Sequence, residues 1–140
     1  MERTAVFRRQ HEEILEIAGE LTAVMAEPER LAEDAEVVRG LLTVLSGKIS
    51  IHLAMEDKGL YPRLLKHAKP EVRTLAGTYM AEMGGIKDVF AEYLGRWPDG
   101  ARIQGDPRTF IEETRGLLAA LERRISREDN ELYPMVDGIG

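Results

Sequence analysis

A histidine and a glutamate four residues apart, His52 and Glu56, followed by Leu60-Tyr61-Pro62, constrain this chain more than any other stretch. Four residues is about one helical turn, so the imidazole and the carboxylate share one face. Seventy-two residues later the pattern returns as Arg124, Glu128 and Leu132-Tyr133-Pro134. The same offset carries His11 onto Met83, so each half has one special position, a gap of 41 residues, and then the i, i+4 pair. An internal period of this kind describes two similar helical pairs packed against each other. One half is equipped to hold a metal, and the other has lost its imidazoles.

The hydrophobic spacing agrees with four helices. Over about residues 4 to 26, Phe7, His11, Ile14, Ala18, Leu21 and Met25 recur at alternating intervals of four and three, the seam of a bundle helix. Pro28 and its charged neighbours mark a loop. A second seam, from about Leu31 or Asp34, runs Val38, Leu42, Leu45, Ile49, His52 and Glu56, so an aliphatic face ends in two polar residues without turning away. Tyr61-Pro62 kinks or ends that helix, and His67, between Lys66 and Lys69, is expected at the surface.

Lys69-Pro70-Glu71 opens the third helix, with proline in the first turn and an acid at the positive end of the dipole. Its seam is Val72, Leu75, Tyr79, Met83, Ile86, Phe90, Tyr93 and Trp97, interrupted by Gly84-Gly85, which calls for a kink or a close helix approach. Residues 95 to 107 hold the densest turn-forming cluster and are expected to be the longest loop. Asp106 caps and Pro107 opens the fourth helix, with the seam Phe110, Thr114, Leu117, Leu121, Arg124, Glu128 and Leu132. The chain is all-α in this reading, one domain over residues 1 to 140.

Composition narrows the chemistry. There is no cysteine, so disulfides, thiolate metal sites and cysteine nucleophiles are excluded, and any metal is held by nitrogen and oxygen. A net charge of −6, with basic residues only in short pairs such as Arg8-Arg9 and Arg123-Arg124, argues against nucleic acid. The N-terminus lacks the apolar core of a secretion signal, and no apolar run approaches the ~18 residues of a membrane span. A soluble cytoplasmic protein without a membrane partner is the expectation.

His11, His52, Glu56, Met83, Arg124 and Glu128 all fall on core seams. A bundle of antiparallel helices brings them towards one interior zone, where imidazoles and carboxylates suit an iron or zinc ion. A single seam histidine is an ordinary hydrogen-bonded core residue. Two histidines with two glutamates at repeat-related places are another matter, because carboxylates are almost never fully buried unless paired. Met83 reads as core filler, a poor ligand for ferric iron. Tyr61 and Tyr133 are expected to pack with their hydroxyls near water or a backbone acceptor.

With His11 on an early helix, His52 and Glu56 ahead of Leu60-Tyr61-Pro62, and Glu128 ahead of Leu132-Tyr133-Pro134, the chain resembles the hemerythrin-like proteins of the HHE cation-binding type over nearly its whole length. The resemblance implies an up-down-up-down four-helix bundle around a non-heme di-iron centre. It implies that His11, His52, Glu56 and Glu128 are ligand positions, with the carboxylates bridging. Family members bind oxygen or related small molecules, sense redox conditions, or handle iron and nitric oxide damage. The family's further histidines are Met83 and Arg124 here, and an arginine does not shed its proton to bind a metal.

The expected function is therefore a sensory or regulatory protein that holds at most one metal ion, iron or zinc, and responds to oxygen, nitric oxide or redox state. Its partner would be a small diatomic ligand or another protein. The alternative is a metal-free interaction module whose polar centre is a salt-bridge network. A di-iron enzyme acting on peroxide or nitric oxide would need ligands that the sequence does not show. For Arg124 two placements remain open: its guanidinium enters the former metal site and bonds Glu56 and Glu128, or its stem passes the seam and puts the charge in solvent.

Overall fold

The structure, a computed structural model, describes residues 4 to 139, with the side chain of Met83 outside the described residues. All regular structure among them is helical: α1 (Ala5–Met25), α2 (Pro28–Glu33), α3 (Ala35–Gly59), α4 (Tyr61–Leu65), α5 (Pro70–Met83), α6 (Ile86–Arg96), α7 (Gly100–Gly105), α8 (Pro107–Arg127), a π-helical turn over Glu128–Leu132, and α9 (Tyr133–Gly138). Proline opens α2, α5 and α8 within the first turn, where its missing N–H costs nothing. Asp106 caps α8 by accepting from the Thr109 N–H at 3.3 Å.

The seams of α1 and α3 are buried as their spacing predicts, including His11, His52 and Glu56. Three expectations change. The third helix breaks at Gly84-Gly85 into α5 and α6, and no heavy atom beyond the local backbone lies within 4 Å of where a Gly85 Cβ would sit, so the glycines serve a kink and not a close approach. The expected loop over 95 to 107 contains α7, capped by Asp99 accepting from the Arg102 N–H at 2.9 Å. On α8 the buried line is Phe110, Thr114, Leu118, Leu121 and Ile125. Its first steps are of four, as a 3.6-residue helix drifts against a 3.5-residue pattern, and this moves Leu117 and Arg124 off the centre of the face.

Two apolar clusters divide the interior. The larger includes Ile14, Ile49, Leu121 and Ile125, and the smaller includes Phe7, Leu60, Leu132 and Tyr133. Along α1, α3 and α8 the order is the same: a residue of one cluster, then a polar residue, then a residue of the other. His11 lies between Phe7 and Ile14, His52 and Glu56 between Ile49 and Leu60, and Glu128 between Ile125 and Leu132. The start of α1 is tied to α9 at this level, with the Thr4 hydroxyl donating to Asp137 Oδ2 at 2.8 Å and Arg8 reaching Asp137 at 3.7 Å. Where α7 crosses α3, the Gly100 N–H donates to Glu36 Oε1 at 2.8 Å.

The stretch Ala35–Leu65 is long and apolar enough to cross a membrane by composition, with a mean hydropathy of 1.3 in its best window. That differs from the run-based expectation. The reason is that α3 carries two apolar stripes: Val38, Leu42, Leu45 and Ile49 in the core, and a second, exposed one that includes Val37, Val44 and Ile51.

Candidate metal centre

His11 Nε2 and His52 Nε2 face each other at 3.0 Å, in rings that are 1% and 3% exposed. Each ring is held from behind. His11 Nδ1 lies 2.8 Å from Asp129 Oδ1, and His52 Nδ1 lies 2.7 Å from Gln10 Oε1. A carboxylate only accepts, so His11 carries its proton on Nδ1, and an amide oxygen does the same for His52. Both Nε2 lone pairs then point at one another, an arrangement that needs a shared proton or a cation between them. Outer partners that fix the tautomer in this way are what metal-ligating imidazoles use.

The carboxylates complete the cluster. Glu128 Oε1 lies 3.6 Å from His11 Nε2, and Glu56 Oε1 lies 3.1 Å from His52 Nε2. His52 Nε2 is aimed at His11, so Glu56 Oε1 receives no hydrogen bond among the described residues although Glu56 is fully buried. An orphaned carboxylate oxygen beside two facing lone pairs is a site short of positive charge. Ligand atoms of His11, His52 and Glu128 lie within 4.8 Å of one another, all buried, and could hold one metal ion.

Tyr133 is the group that sequence reasoning misplaced. Its hydroxyl, expected near water or a backbone acceptor, donates to Glu56 Oε2 at 2.8 Å and lies 3.3 Å from Glu128 Oε2, 3.3 Å from His11 Nε2 and 3.5 Å from His52 Nε2. The cause is the π turn. With i→i+5 bonding, residues five apart share a face, which brings Tyr133 over Glu128. Between Glu56 and Tyr61 there is no π turn, and the Tyr61 hydroxyl is buried with no hydrogen-bond partner among the described residues.

Burial acts to raise the pKa of Glu56, but its contacts with His52 and Glu128 outweigh that and hold it below 4.5. For Glu128, burial and then the charge of Glu56 push the carboxyl up to about 9. Without a metal the two carboxyls therefore keep one proton between them. Burial, then the charges of Glu128 and Glu56, raises the Tyr133 phenol well above its ordinary range, so it remains a donor. Phe7 packs edge-on to His52 with centroids 6.0 Å apart and stacks on Tyr133 at 5.9 Å, which keeps water from that side.

Four of the six positions singled out by the repeat, His11, His52, Glu56 and Glu128, are thus brought together. Arg124 is half-buried and lines a cavity of about 20 Å³, roughly the room for one water, along with His11, His52 and Glu128. It is neither on the core seam nor fully in solvent. Met83 belongs to α5 by its backbone, and its expected place on the core seam, as the repeat counterpart of His11, lies outside the described side chains. His67 is half-buried, with its Nδ1 accepting from the Lys69 N–H at 3.1 Å. Gln10 and Asp129 had no signal beyond their proximity in sequence to His11 and Glu128.

A family model described as the hemerythrin HHE cation binding domain matches residues 3–136. No curated protein and no solved structure matches the chain.

Proposed function

The chain belongs to the hemerythrin HHE cation-binding family, and from that membership we propose that it holds one metal ion in an incomplete di-iron site and serves a sensory or regulatory role. The observation that carries this reading is the facing pair His11 Nε2 and His52 Nε2 at 3.0 Å, beside a buried Glu56 oxygen that receives no hydrogen bond among the described residues. His11, His52 and Glu128 would hold the ion, with Glu56 the fourth ligand. Iron fits this nitrogen and oxygen set, as does zinc. Bound iron supplies a Lewis-acidic, redox-active centre for a small diatomic ligand such as oxygen or nitric oxide.

The protein's own groups have separate tasks. Asp129 and Gln10 orient the two rings, Tyr133 holds Glu56 by its hydroxyl, and Phe7 excludes water. We read α1, α3, the kinked pair α5 and α6, and α8 as an up-down-up-down four-helix bundle with a pseudo-twofold repeat at the 72-residue offset. The contacts of α1 with α3 and α8, and of α3 with α6, support this reading. We place the protein in the cytoplasm, in keeping with its lack of cysteine.

The test of the sensory role is optical. Protein loaded with ferrous iron under argon should change its visible spectrum on addition of oxygen or nitric oxide, and His52→Ala should lose both the iron and the change. A loaded protein that shows no response to either gas contradicts the role while leaving the metal site intact.

A further inference from the structure

The exposed face of α3 has a pattern that the metal centre does not use. Val37, Gly40, Val44, Gly47, Ile51 and Ala54 recur at intervals of three and four, and all six are exposed, with Val37 at 63%, Val44 at 48% and Ile51 at 60%. A β-branched residue occupies one seam position of each heptad, and glycine or alanine occupies the other. This is a coiled-coil seam with alternating knobs and hollows. A Cβ added at Gly40 or Gly47 would meet nothing within 4 Å, so the small residues are not needed by this chain's own packing. Glycine inside a helix is less stable there than alanine, and no packing contact among the described residues calls for it at these two positions.

We propose that this stripe is the interface of a homodimer in which two α3 helices pack antiparallel. With the two-fold axis at the level between Leu45 and Ser46, the helices set Val44 against Gly47, Val37 against Ala54 and Ile51 against Gly40. Every knob meets a hollow, and each pairing occurs twice, as a two-fold interface requires. The same register carries Lys58 past the N-terminus of the partner's α3, towards the α2–α3 junction, where the exposed Glu33 ends α2. The charges at the ends are therefore complementary, while the stripe between them is uncharged.

From Val37 to Ala54 the seam spans about 26 Å of helix, so the contact stays below the roughly 800 Å² per partner of a standard interface. An interface of this size is that of a weak, concentration-dependent dimer. At the edge of the stripe Met55 Sδ accepts from Gln10 Nε2 at 2.9 Å, and the same amide holds His52, so one side chain links the interface to the candidate metal ligand.

Sedimentation at about 50 µM protein tests the proposal. The parent should sediment at twice 15.7 kDa, and Gly47→Glu, at a site with open space around it, should keep its helical circular dichroism and sediment as a monomer. A monomeric parent, or a dimer that Gly47→Glu leaves unchanged, overturns the proposal. A monomer that binds vesicles of neutral phospholipid through this face does so as well. Orientation is read by disulfide trapping, for which the chain offers no competing cysteine. An equimolar mixture of Val37→Cys and Ala54→Cys proteins should cross-link under mild oxidation while neither does so alone. Cross-linking of each variant with itself indicates a parallel pair and contradicts the arrangement.

Discussion

The carboxylate of Asp129 lies 2.8 Å from His11 Nδ1, on the side of the ring away from His52. That contact sets which nitrogen of His11 is free to meet a metal. It exists because Asp129 sits in the π turn directly after Glu128, where the widened turn lets neighbouring residues serve the same site from two sides.

Asp129→Asn keeps the size of the side chain and removes the charge behind the ring. Metal affinity should fall by about 10-fold to 100-fold, the usual effect of losing an outer partner of a ligating histidine, with the fold unchanged by circular dichroism. Competition with a chelator of known affinity measures the change, and an affinity equal to the parent's would show that Asp129 does not position His11.

Tyr133→Phe leaves Glu56 Oε2 buried without its donor. Metal-free protein should lose about 1–3 kcal/mol of stability, the cost of an unsatisfied buried acceptor. Urea denaturation in the presence of chelator measures this. Tyr61→Phe is the control: its hydroxyl has no hydrogen bond to lose among the described residues, so its removal should be neutral or slightly stabilising.

The carboxyl of Glu128 makes metal-free stability depend on pH. Its folded pKa, about 9, lies above the ordinary 4.5, so between those values the native state holds a proton that the unfolded chain lacks. The stability that this proton contributes is full below about 4.5 and is lost as pH rises towards 9. Glu128→Gln should flatten this decline in urea midpoints taken at pH 5.5, 7 and 8.5. Metal binding runs the other way: Glu128 must release its proton to coordinate, so affinity should rise with pH over the same range. A parent protein whose metal-free stability is level across this window would place the proton elsewhere.

The helices were legible because their seams are strongly periodic: α1 and α3 bury the residues their spacing selects, down to His52 and Glu56. The four polar positions were legible because a repeat marks them. What spacing does not carry is a change in helical pitch. The π turn over Glu128–Leu132 has no signature in its residues, yet it brings Tyr133 into the cluster and gives Tyr133 and Tyr61 different surroundings despite their matching motifs. The drift of α8 that moves Arg124 off the seam is a property of 3.6-residue geometry accumulated over several turns. Gly84-Gly85 left a kink and a close approach equally open, since only the space around the glycines decides between them.

The number of metal ions bound per chain tests the central claim most directly. Protein expressed with iron and zinc both supplied, and purified without chelator, should contain close to one equivalent by elemental analysis, falling towards zero in the His11→Ala, His52→Ala double variant. Near zero in the parent would contradict the metal centre and leave the buried cluster to a metal-free interaction module. Two equivalents would contradict the incomplete site and restore a full di-iron protein.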